Sequence, residues 1–145
     1  EIQKALGTNP EESSDFARII NLKNWERQLR LLENQEILFG GQSNKETLYL
    51  APTLLDEPKM DSLVMTEEIF GPILPILSYE SKSDIEKIIS SFEKPLSLYV
   101  FSKNSQWAKK ITTKFAFGGG CINDTIVHDD LNAKVTMLLQ FSYRF

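Results

Sequence analysis

The sequence predicts an α/β fold: part of a parallel sheet flanked by helices. Three observations predict it. From residue 73 to residue 127, apolar strand candidates alternate with helical patterns, the order that builds parallel strands with crossover helices. The longest apolar runs, residues 48–55 and 69–77, are far short of the roughly 18–20 residues that cross a bilayer and have the length of buried strands. The chain has 145 residues, 41% hydrophobic and 25% charged, enough for one domain, or part of one, with a real core.

The elements follow in order. Ile2, Ala5 and Leu6 before Gly7 read as a helix tail with a glycine stop. A polar turn passes through Asn9, Pro10 and Ser14. Residues 22–33 form a helix, with Trp25, Leu29 and Leu32 at helical spacing. Residues 36–39 are a short strand, ended by Gly40-Gly41 and a polar turn over 42–45. The run 48–55 contains Pro52, which cannot donate to a ladder, so this strand is short, at an edge, or broken at that point. Residues 73–79 read as the best buried strand. Residues 83–92 are the clearest helix, with Ser83 and Glu86 as a capping box and Ile85, Ile88, Ile89 and Phe92 on one face. A strand over 96–101 and a helix over 105–114, with Trp107, Ile111 and Phe115 along one side, come next. Gly118-Gly119-Gly120 leads into the apolar run 121–127, and residues 129–145 show no clear period.

Composition removes several function classes. A net charge of −4 is wrong for a phosphate-gripping nucleic-acid binder. One cysteine, Cys121, excludes an internal disulfide and suits a reducing compartment. Cys121 lies in an apolar run with no base near it in sequence, and reads as a structural thiol. His128 is the only histidine, and with Cys121 seven residues earlier it makes a poor metal set. The triple glycine lacks G-x-G-x-x-G spacing and precedes a strand, so it reads as a close backbone approach at a turn. The first residue is Glu1 and no signal peptide follows, so the expectation is a chain processed, cut down or incomplete at its start.

The run Met65-Thr66-Glu67-Glu68-Ile69-Phe70-Gly71-Pro72 is the strongest functional candidate. Its bland reading is a turn with two surface acids and a core phenylalanine. Its functional reading is a carboxylate that accepts from two sugar hydroxyls beside a flat aromatic face. Ligands of open α/β sheets sit at such strand-end loops.

This run resembles the Glu-Glu-Ile-Phe-Gly-Pro signature of aldehyde dehydrogenases. Phe16-Ala17-Arg18-Ile19-Ile20-Asn21, Tyr49-Leu50-Ala51-Pro52-Thr53-Leu54, Glu93-Lys94-Pro95-Leu96-Ser97-Leu98-Tyr99-Val100-Phe101-Ser102 and Gly118-Gly119-Gly120-Cys121-Ile122-Asn123-Asp124 extend the likeness. In this order and spacing they resemble the class 3 branch, which includes the fatty aldehyde enzymes, over residues 2–128. The resemblance implies half of a catalytic domain with a Rossmann-like sheet and oxidation of a small-molecule aldehyde to a carboxylic acid with NAD or NADP. In the family a cysteine thiolate attacks the carbonyl, hydride passes to nicotinamide, and a glutamate-activated water releases the acid. It further implies that Glu68 matches the carboxylate that binds the nicotinamide ribose and Phe70 the aromatic beside it. Asn123 and Ile126 match a strand that approaches the aldehyde channel. The implied assembly is a homodimer when complete, cytoplasmic, with membrane association of the complete protein left open.

The family's Gly-Gln-x-Cys nucleophile and general-base glutamate match no residue of this chain, so the resemblance assigns no catalytic residue. After His128 the family's glycine-rich Pro-Phe-Gly-Gly-x-Gly-x-Ser-Gly loop is replaced by Asp129-Asp130-Leu131-Asn132-Ala133-Lys134. The expected organisation is therefore a partial catalytic domain over 1–128 and a divergent tail over 129–145, from an alternative splice or frame change. The chain alone is expected to be inactive. The rival readings are a non-catalytic decoy that pairs with full-length subunits, and an unrelated α/β nucleotide-binding domain.

Overall fold

The computed structural model describes residues 1–92, 94–124 and 140–141. It divides into two compact units, Glu1–Leu77 and Ser78–Phe145. The fold is mixed α/β with parallel strand pairs in both units.

The first unit begins with α1 (Ile2–Leu6), stopped by Gly7 at φ 79°, and a single 3-10 turn over Pro10–Glu12. Helix α2 (Leu22–Leu32) starts where the Asn21 side chain accepts from the Asn24 N–H at 2.8 Å. This cap satisfies one of the helix's free donors. Its inner face is Trp25, Gln28 and Leu31, with Leu29 and Leu32 only partly buried. The helix therefore sits rotated from the apolar spacing, because a polar residue, Gln28, occupies the middle of the buried stripe. Trp25 donates its indole N–H to the Tyr49 carbonyl at 2.8 Å.

Strands β1 (Glu36–Phe39), β4 (Thr53–Asp56) and β5 (Ile73–Ile76) form one sheet in the order β1-β4-β5. β4 is antiparallel to β1 and parallel to β5. A two-strand ladder joins β2 (Ser43–Asn44) to β3 (Tyr49–Leu50). The run 48–55 is broken at Pro52, as its missing donor requires. Short helix α3 (Leu63–Thr66) precedes β5. Leu31, Leu50, Leu55, Val64 and Ile73 form the core of this unit.

The expectation for residues 73–79 fails on burial. β5 is an outer strand of its sheet; only Ile73 is buried, and Ile76 is 36% exposed. Pro75 gives the reason, since a residue without an N–H belongs on the margin of a ladder. The strand–helix order from 73 to 127 is also split: β5 belongs to the first sheet and the later strands to a second.

The second unit contains α4 (Lys82–Ser90), β6 (Ser97–Val100), α5 (Ser105–Lys114), β7 (Gly119–Ile122) and β8 (Gln140–Phe141). β6 is parallel to both neighbours, in the order β7-β6-β8, and α5 is the crossover between β6 and β7. All four residues of β6 are buried, which makes it the true central strand. Ile85 and Ile89 of α4, Leu98 and Val100 of β6, and Trp107, Ala108 and Ile111 of α5 form the core. The capping box lies two residues earlier than the sequence pattern placed it. Ser81 caps the Asp84 N–H, and Asp84 accepts from the Ser81 N–H at 2.9 Å. Glu86 instead pairs with Lys114 of α5 at 2.6 Å. Gly119 and Gly120 lie inside β7 rather than at a turn. The close approach is real: a Cβ on Gly120 would stand 1.9 Å from the Leu98 carbonyl oxygen.

Candidate functional site: the loop between α3 and β5

The loop over residues 67–72 is short and held at both ends. At its start Glu67 donates its N–H to the Leu63 carbonyl at 2.9 Å, closing α3. At its end the Thr53 N–H donates to the Pro72 carbonyl at 2.8 Å, tying the loop to β4. Between them Ile69 packs against the core of the first unit.

Two neighbouring residues of α2 grip the loop through its backbone. Arg27 donates to the Glu68 carbonyl at 2.8 Å and to the Ile69 carbonyl at 2.7 Å. Gln28 donates from its side-chain amide to the Ile69 carbonyl and to the Phe70 carbonyl, the latter at 3.3 Å. Phe70 itself sits at φ 48°, in the left-handed region. For a non-glycine residue that conformation is uncommon and persists where surrounding contacts impose it. Gly71 follows because a Cβ there would stand 2.2 Å from the Gln28 amide oxygen.

The result is a fixed backbone with outward side chains. Glu68 is exposed, and Phe70 is 63% exposed, so it is not the core phenylalanine of the bland reading. An exposed carboxylate, able to accept from two hydroxyls, and an open aromatic ring, which offers apolar area, thus stand two residues apart on a constrained turn.

The other site candidates fare differently. Asn123, at φ 58°, places its carboxamide on Ser102: its Oδ1 accepts from the Ser102 N–H at 2.7 Å, and its Nδ2 donates to the Ser102 carbonyl at 3.0 Å. That bidentate grip joins the ends of β6 and β7. Ile126 and His128 lie outside the described residues. Cys121 is half-buried in β7 and donates its thiol to the Asp124 carbonyl at 2.9 Å. Burial pushes its pKa above the ordinary thiol value, and the Asp124 carboxylate adds to the rise. Among the described residues no group of three or more His, Cys, Asp or Glu side chains could hold a metal.

The sequence reading missed Arg27 and Gln28. A signal existed for Gln28, which stands three residues from both Trp25 and Leu31, where the helical period demands an apolar side chain.

Comparison with known proteins gives the class. The aldehyde dehydrogenase family model matches residues 4–135, and the chain belongs to that family. It is 44% identical over 129 residues to the 4,4'-diaponeurosporen-aldehyde dehydrogenase of Staphylococcus aureus, covering 88% of this chain and 28% of that protein. It is also 44% identical over 132 residues to the aldehyde dehydrogenase family 3 member A2 of Rattus norvegicus, covering 91% of this chain and 27% of that protein. The chain thus spans between a quarter and a third of these relatives. The substrate-bound Staphylococcus aureus AldH structure superimposes with a TM-score of 0.83 at 44% identity, over 88% of this chain and 28% of that one. The NAD+ complex of a Bacillus cereus aldehyde dehydrogenase, at 22% identity, shares the fold with a TM-score of 0.71 over 80% of this chain and 25% of that one.

Among the described residues no helix is long and apolar enough to cross a membrane.

Proposed function

We propose that these residues supply the nicotinamide-ribose contact of an NAD(P)-dependent enzyme that oxidises an aldehyde to a carboxylic acid. Glu68 accepts from the ribose hydroxyls, and Phe70 packs beside the sugar and the nicotinamide ring. The observation that supports this most is the turn over 68–70, whose carbonyls are all gripped by Arg27 and Gln28 while its two functional side chains stay open. Bound NAD or NADP supplies the hydride acceptor for the oxidation. The chain's own contribution is to bind and orient the nicotinamide end, so that binding geometry lowers the barrier before any bond changes. Asn123 acts here as a positioning residue for the ends of β6 and β7.

The test is Glu68→Gln in the complete enzyme that carries this sequence. The substitution keeps shape and removes charge, and hydrogen bonds to a charged group exceed neutral ones by about 1 kcal/mol or more each. The cofactor KM is expected to rise about tenfold, by the rule of 1.4 kcal/mol per decade, with the aldehyde KM unchanged. An unchanged cofactor KM overturns the assignment.

A second reading, a non-catalytic module that pairs with complete subunits, is favoured by β1. This outer strand exposes Ile37 and Leu38 at 43% and 53%, and such strands are templates for pairing. Co-purification with a complete subunit tests it.

A further inference from the structure

Gln28 is a costly choice for its position. It is fully buried, at 0% exposure, in the middle of the inner face of α2 between Trp25 and Leu31. Its amide oxygen is buried with no hydrogen-bond partner. A buried polar atom left unpaired destabilises a fold, and an apolar side chain of the same length would avoid that cost. Turning the amide over is no remedy, since its oxygen would then face the carbonyl oxygens of Ile69 and Phe70. What the amide provides is its N–H pair, which donates to those two carbonyls. Arg27 holds the earlier part of the turn, Glu68 and Ile69, whereas Gln28 reaches Phe70, the residue at φ 48°. Gly71 completes the fit, because only a residue without Cβ leaves the Gln28 oxygen its room.

The geometry points to Gln28 as a positioning residue for the cofactor: it holds the Phe70 carbonyl, fixes the left-handed turn, and thereby sets the direction of the Phe70 ring and the Glu68 carboxylate. The inference rests on the ribose reading of Glu68 and Phe70. Core stability and cofactor geometry make opposite demands on this residue, and the amide serves the second.

The experiment is Gln28→Met in the complete enzyme, with Glu68→Gln as the control. Methionine keeps the volume and removes both donors. Arg27 still satisfies Ile69, so the fold is expected to persist with a melting temperature equal to or above the parent's. The Phe70 carbonyl carbon resonance is expected to move upfield as the carbonyl loses its donor. The cofactor KM is expected to rise about fivefold, with kcat and the aldehyde KM within about twofold, a split that a merely structural role would not produce. If Glu68→Gln raises the cofactor KM while Gln28→Met changes neither the Phe70 carbonyl resonance nor the KM, Gln28 has no positioning role and the ribose reading stands. If neither variant changes the cofactor KM, the ribose reading fails and the inference falls with it. Gln28→Leu is the second variant, and the same outcomes apply if methionine disturbs folding.

Discussion

Cys121 shows how far a single residue decides what this chain does. A nucleophilic cysteine needs its thiolate stabilised by positive charge, a helix N-terminus or a metal. Cys121 has the reverse: burial and the Asp124 carboxylate both favour the neutral thiol, and its proton is directed at the Asp124 carbonyl. Both effects raise its pKa and work against the thiolate that a nucleophile needs. On the proposed reading, Cys121→Ser in an aldehyde-oxidising protein that contains these residues is expected to leave turnover within about twofold, since a serine hydroxyl replaces the thiol's weak hydrogen bond. Turnover abolished by that substitution would show the thiol to be the nucleophile. The sequence carried this conclusion because an apolar run announces a strand thiol. The proposed pair, Glu68 and Phe70, stands out in the sequence because both lie in one short motif before a glycine-proline break. Arg27 gives no such sign, and Gln28 only that it breaks the apolar stripe of its helix, because both act on backbone carbonyls, and every residue has a carbonyl. Nothing in the composition of the loop over 67–72 says that two α2 side chains hold it.

Among the elements, most helices and strands stand near the places that periodicity gave them, and the misplacements have local causes. In α4 two overlapping patterns competed, Ser83 with Glu86 and Ser81 with Asp84. The upstream pair wins because the shorter Asp84 side chain at the third helical position accepts from both the Ser81 N–H and its hydroxyl, at 2.9 and 2.7 Å. Ser81→Ala is expected to cost about 1 kcal/mol. Ser83→Ala should cost clearly less, and denaturant melts of the two variants distinguish the assignments. The same box gives a pH dependence. The Ser81 hydroxyl, followed by the Ser81 N–H, holds the Asp84 carboxyl below its ordinary value. A depressed folded-state pKa stabilises α4 fully above the unfolded carboxylate value of about 3.9, and the contribution is lost as pH falls through the folded value. Asp84→Asn should flatten this part of the acid limb of a melting-temperature profile. An unchanged acid limb would show that the box does not form. The expected burial of β5 fails for a different reason. Which strand lies centrally is set by partners distant in sequence, so an apolar run alone does not reveal it; only Pro75 hinted at the margin.

For the whole molecule the question is whether 145 residues turn over an aldehyde. The chain belongs to an enzyme family, yet it spans 28% and 27% of the relatives compared above. Its compact units each carry a core, so the polypeptide has the means to hold local structure. Chemistry asks for more: a thiolate at the carbonyl, a base for the hydrolytic water and a cofactor, all within reach of one another. The only thiol is Cys121 in β7, whose pKa is raised by burial and the Asp124 carboxylate. Losing a positioned nucleophile forfeits an effective concentration on the order of 10⁵ M or more, which no binding residue restores. The purified chain, given NAD or NADP and an aldehyde, is therefore expected to form no reduced nicotinamide above the enzyme-free rate, followed by absorbance. Cofactor affinity of the same sample, measured by calorimetry, separates a chain that binds without reacting from one that does neither. Aldehyde-dependent reduction that survives Cys121→Ser would mean that a group other than a thiol attacks the carbonyl. Reduction that disappears with Cys121→Ser would instead make Cys121 the nucleophile. Either result would overturn the division proposed here, in which Glu68, Phe70 and their α2 supports hold the cofactor while the reacting sulfur lies on other residues.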